Sequence, residues 1–144
     1  MFVINMNVFI EASIVSIYCV IIFILVKNTF QKINIYMPNN TIITLFILGF
    51  IKHFFGYLLG LHTYYCKFGN QCIKYNKHSA IWHILIVESI LEGIIFVMFG
   101  SFFGYTLSDN FQYNASFFMF LGFFLHISAE IIGIHNQFCI NNCI

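Results

Sequence analysis

Long apolar runs interrupted by few polar positions dominate this chain, and their lengths decide its class. Four stretches, about 8 to 26, 41 to 62, 80 to 100 and 116 to 135, are long enough to cross a hydrocarbon layer of roughly 30 Å as helices. Backbone groups in lipid must be hydrogen-bonded internally, which favours helices. The first stretch lacks a basic leader and a small-residue cleavage pattern and carries Glu11 near its start, so it is expected to be a retained helix and not a signal peptide. Four crossings put both termini and the loop 64 to 77 on one face, and the loops 27 to 40 and 101 to 115 on the other. Pro38, the only proline, falls in the loop before the second predicted helix.

The polar positions are not scattered at random. Shifting the numbering by 73 lays Leu48, Gly49, Phe50, His53, Gly60, His62 and Cys66 on Leu121, Gly122, Phe123, His126, Gly133, His135 and Cys139. Seven identities fall in nineteen aligned positions without a gap, and His, Gly and Cys are scarce in this chain. The pattern predicts an all-α membrane protein, a four-helix transmembrane bundle built from two tandem helical-hairpin repeats. One domain, 1–144, is expected, with a first repeat at about 8–72 and a second at about 80–143. Helices two and four then run in the same direction, and His53 and His126 fall at equal depth near the midplane.

Composition agrees with this picture. At 60% hydrophobic, 20% aromatic and 8% charged residues, the chain has too little polar surface to coat a soluble domain of 144 residues. The lipid bilayer is its expected partner. All six basic residues are lysines, and with many Ile, Phe, Asn and Tyr this points to AT-rich coding and to an organelle or viral membrane. A formal net charge of +1 without a basic stripe gives no support to nucleic-acid binding. Three lysines in the middle loop against two in the first leave orientation undecided.

Cys66, Cys72, Cys139 and Cys143 follow the second and fourth helices and share one face. On an oxidising face they predict two disulfides with three pairings open, and on a reducing face a zinc site, for which their spacing is a poor match. The disulfide reading, with the cysteine-bearing face on the oxidising side, is preferred. The sequons at Asn39 and Asn114 lie on the opposite face and, if glycosylated, would argue for the reverse orientation. Cys19 reads as a small buried hydrophobe.

Helices in lipid associate where small residues let backbones approach. Gly49, Gly56 and Gly60 on the second helix and Gly122, Ala129 and Gly133 on the fourth are expected to form a central seam, joined by Gly93 of the third. His53 and His126 lie on that seam, with Glu88, Glu92 and Glu130 nearby. Lys52 either snorkels or neutralises a glutamate. An ionised carboxylate at membrane depth costs a few kcal/mol, so these residues are expected to face the interior and find partners.

The leading expectation is a small structural or assembly membrane protein whose His/Glu network and Gly faces specify packing. The alternatives are haem b held by His53 and His126, a non-haem divalent metal held by His53, His126, Glu88, Glu92 and Glu130, or a proton or cation path. A transport role would require a homo-oligomer, because four helices are few. His62 and His135, nine residues beyond the first pair, fall half a turn out of phase on a continuous helix and are expected to point away from the seam. With His78 and His83 they read as polar aromatics at headgroup level. No HExxH or multiple-His box occurs, so no catalytic residue is assigned.

Overall fold

The computed structural model describes residues 6–32, 41–72, 82–107 and 113–143. Pro38, Asn39, Lys74, Lys77 and His78 lie outside them. The order is α1 (Met6–Lys32), α2 (Thr41–Leu58), α3 (Leu61–Phe68), α4 (Trp82–Leu107), α5 (Ala115–Ile132) and α6 (Ile134–Asn142). Four of these helices, α1, α2, α4 and α5, are long and apolar enough to cross a membrane. The expected all-α membrane bundle is therefore present, with two short helices added to it. Asn114, read from the sequence as part of a sequon, caps α5 by accepting a 3.0 Å hydrogen bond from the Phe117 backbone N–H.

The short helices correct the sequence reading. Stretches expected to be continuous to 62 and 135 instead stop at Leu58 and Ile132, because Gly60 and Gly133 adopt φ of 77° and 88°. In that left-handed region a Cβ is strained, and glycine there ends a helix by turning the chain. Both positions have open space around them, so Gly60 and Gly133 act as helix breaks and not as the packing residues they were expected to be.

A second correction concerns the seam. α2 packs along α4, and α1 along α5, while α2 and α5 make little contact with each other. A Cβ on Gly49 would come within 2.9 Å of Gly93 Cα and 2.7 Å of the Glu92 carbonyl oxygen, so these two glycines permit the α2/α4 contact. Gly122 meets Cys19 and Ser16 of α1 instead of α2. Gly56 faces the His62 ring of α3, and Ala129 is only half-buried. The physical reason is economy of contact: each glycine face meets the nearest helix whose side chains are small at that level, and two separate pairs satisfy all four helices.

Phe23, Leu45, Leu48, Phe96, Phe118 and Leu121 fill the centre, with Phe23 and Phe118 stacked at 4.6 Å. Ile10, Ile14, Ile17, Ile21 and Leu25 run along one exposed face of α1, and Val87, Leu91, Ile94, Met98 and Phe102 along α4. Large apolar side chains on the outside and small or polar ones inside suit a lipid-facing surface. Lys52 of α2 forms an ion pair with Glu92 of α4 inside this bundle. The tight α2/α4 approach sets a direct test. Gly49→Ala is expected to lower stability by about 1–3 kcal/mol in detergent unfolding, since the added methyl meets backbone. Gly56→Ala, whose Cβ would sit 3.5 Å from the His62 ring, is expected to be nearly neutral.

Candidate functional site

The broken helices bring four cysteines together at one end of the bundle. Cys66 of α3 is bonded to Cys143, and Cys72 to Cys139 of α6, with Cα separations of 5.5 and 5.2 Å. Of the three pairings open to the sequence, this one joins the segment after α2 to the segment after α5 twice. All four cysteines are buried, and the two bridges touch through Cys72 Sγ and Cys143 Sγ at 3.6 Å. As disulfides they offer no thiolate to a metal. What they do is pin α3 and α6 across the ends of α2 and α5.

Beneath this cap lies a polar cluster made by α1, α3, α5 and α6. His126 of α5 is 95% buried, and its Nε2 faces Glu11 Oε2 of α1 at 3.4 Å. Neither atom has a hydrogen-bond partner among the described residues. The His135 ring of α6 packs 4.5 Å from that of His126, and its Nδ1 lies 3.0 Å from Glu130 Oε1. Glu130 also accepts from the Tyr65 hydroxyl at 2.7 Å and from Gln71 Nε2 at 2.8 Å. One donor atom each from His126, Glu130 and His135 falls within 4.8 Å of the others. The other Glu11 oxygen, Oε1, accepts the Asn70 backbone N–H at 2.9 Å.

A second cluster stands under the same cap between α2, α3 and α4. His53 Nε2 faces Glu88 Oε2 at 3.4 Å, again with neither atom partnered among the described residues. Glu88 Oε1 accepts from Asn142 Nδ2 of α6 at 2.8 Å. The His62 ring lies 4.6 Å from that of His53. Tyr57 occupies the place on α2 that Glu130 holds on α5, one turn after the histidine.

Some expected site residues are thus brought together and others are not. His126 and Glu130 share the first cluster, and His53 and Glu88 share the second. Glu92 is engaged by Lys52. His62 and His135, expected to point away, instead pack on the first pair, because the left-handed glycine two residues before each one reverses the helical phase beyond it. Glu11, read as an interfacial residue, sits level with His126. Tyr65, Gln71, Asn70 and Asn142 were not anticipated. The clearest signal was present in the sequence: Gly60 and Gly133 precede His62 and His135 by the same two residues.

An unprotonated imidazole nitrogen and a carboxylate oxygen each carry a lone pair, so facing each other without water they require a cation between them, either a proton or a metal ion. Two ligands bound at about 2.05 Å to a tetrahedral centre lie roughly 3.3 Å apart, which is close to both observed separations. No protein-family model matches this chain, and no curated protein or solved structure is detectably similar to it.

Tyr65 lies outside the membrane-crossing helices. Burial, and then the hydrogen bond to Glu130, hold its phenol well above the ordinary range. The unfolded chain releases this proton near pH 10 while the folded chain keeps it, so stability falls as pH rises past about 10. Tyr65→Phe is expected to flatten that alkaline loss and to reduce stability at neutral pH by about 1.5–3 kcal/mol, the range for a hydrogen bond to a charged group, as read from unfolding curves at the two pH values.

Proposed function

We propose that this chain is a tandem duplication of a helix, a second helix and a short capping helix, and that it serves as a metal-binding membrane bundle. The principal site is formed by Glu11, His126, Glu130 and His135. The observation that carries this reading is the buried pair of Glu11 Oε2 and His126 Nε2, facing each other at 3.4 Å with neither hydrogen-bonded among the described residues. Two imidazoles and two carboxylates are a donor set suited to zinc, with borderline nitrogen and oxygen ligands and charge neutrality for a divalent ion. Asn70, Tyr65 and Gln71 would orient the carboxylates from behind, as second partners do around metal ligands. Glu130 already holds His135, so a bound ion would take the place of the proton between them, and uptake would weaken as acid competes for the imidazoles.

A haem between His53 and His126 fits less well, because each imidazole faces the carboxylate of a different helix. The structural or assembly reading remains as the second one, supported by the hydrogen bonds that Glu130 makes to Tyr65 and Gln71. In that case the same residues fix helix register with protons in place of metal.

The two readings separate on one experiment. Protein purified in detergent with added zinc, then desalted, is expected to retain metal that His126→Leu loses, with both disulfides intact in the variant. Full retention by His126→Leu would sink the assignment of this site. No metal in either protein, together with a variant as stable as the parent or more so, would favour a packing network, since replacing buried polar groups by apolar ones is often neutral or stabilising.

A further inference from the structure

We infer that the chain holds a second metal ion, at His53, His62 and Glu88, with an open coordination position that the first site lacks. The inference rests on the reading of the Glu11/His126 cluster as a metal site, but its geometry is independent. His53 Nε2 and Glu88 Oε2 are fully shielded from solvent, come from different helices and face each other at 3.4 Å without a hydrogen-bond partner among the described residues. Glu88 is held in that pose by Asn142, which donates to its other oxygen at 2.8 Å. In the first cluster, the Asn70 backbone does the same for Glu11 at 2.9 Å. In both clusters, therefore, one carboxylate oxygen is fixed by the disulfide-bonded cap and the other is left aimed at an imidazole. A network built only for packing has no need to leave the same two atoms bare twice.

The clusters differ in one donor, and the difference has a chemical consequence. Where α5 supplies Glu130, α2 supplies Tyr57, whose neutral phenol is a poor zinc ligand. The second site is left with two imidazoles and one carboxylate. Three protein ligands leave a fourth position of a tetrahedral ion for water or for a small anionic ligand, whereas four close the shell. One carboxylate against a divalent ion also leaves a positive charge, so this site binds its metal more weakly than the first and favours an anionic fourth ligand. The open site is the one able to exchange its metal or activate bound water.

The test uses the full chain in detergent, with cobalt(II) as the probe, and follows both stoichiometry and visible absorption. The parent is expected to bind two equivalents, one released quickly by EDTA and one slowly. His53→Leu is expected to keep only the slow one, and His126→Leu only the fast one. Should His53→Leu fold poorly, as judged by disulfide mapping, Glu88→Gln replaces it and is expected to weaken the fast site at least tenfold while leaving the slow one. A parent that binds a single equivalent, retained in His53→Leu and lost in His126→Leu, overturns the second site and leaves the first standing. A single equivalent lost in His53→Leu and retained in His126→Leu upholds the second site while removing the first. Absence of cobalt from all three proteins overturns both.

Discussion

A carboxylate carried into an apolar bundle must be partnered, and the capped end of this protein is arranged around that requirement. Four glutamates lie within its long helices: Glu11, Glu88, Glu92 and Glu130. Lys52 answers Glu92, and Tyr65, Gln71 and His135 answer Glu130. Glu11 and Glu88 are answered only by half, each with one oxygen hydrogen-bonded and the other facing an imidazole. Unpaired charge at such depth costs several kcal/mol. The imidazoles, the cap and the proposed metal all serve that need.

The cap is what keeps these partners in place. α3 and α6 have eight and nine residues, too short to hold themselves together by helix propensity alone. The bridges Cys66–Cys143 and Cys72–Cys139 close loops of 77 and 67 residues, and tie both short helices to one another. In the chain-entropy account, a loop of that size makes each bridge worth about 4 kcal/mol. Tyr65 and Gln71 are each next to a bridged cysteine, Asn142 is next to Cys143, and His135 is one turn before Cys139. The disulfides therefore position the residues behind both carboxylates as well as stabilising the chain. Glycine acts at two other levels: Gly60 and Gly133 turn the chain back toward the bundle, while Gly49, Gly93 and Gly122 let the long helices come close.

Much of the fold was legible because lipid imposes a simple code. Four apolar stretches of sufficient length, and cysteines after the second and fourth, gave the helices and the bonded end. The helix pairing was less legible: glycine spacing marks a face but does not say which neighbour that face meets, and α2 turned to α4 in place of α5. The site was half legible. His53, His126, Glu88 and Glu130 stood out as ionisable groups at depth, whereas His62 and His135 were misplaced by assuming one unbroken helix. A single left-handed glycine is enough to reverse that phase. Glu11 was harder to see, because Glu88 lies 77 positions after it while the histidines are 73 apart. That four-residue difference lies in the connections between helices, and a gapless comparison hides the correspondence.

X-ray absorption at the zinc edge of the loaded protein tests the central claim most directly, because it reads which atoms surround the ion. The account predicts a first shell of nitrogen and oxygen at about 2.0–2.1 Å, with the outer-shell scattering of imidazole rings. A shell containing sulfur at about 2.3 Å would place the metal on cysteines in place of disulfides, and would contradict both the cap and the site described for this bundle.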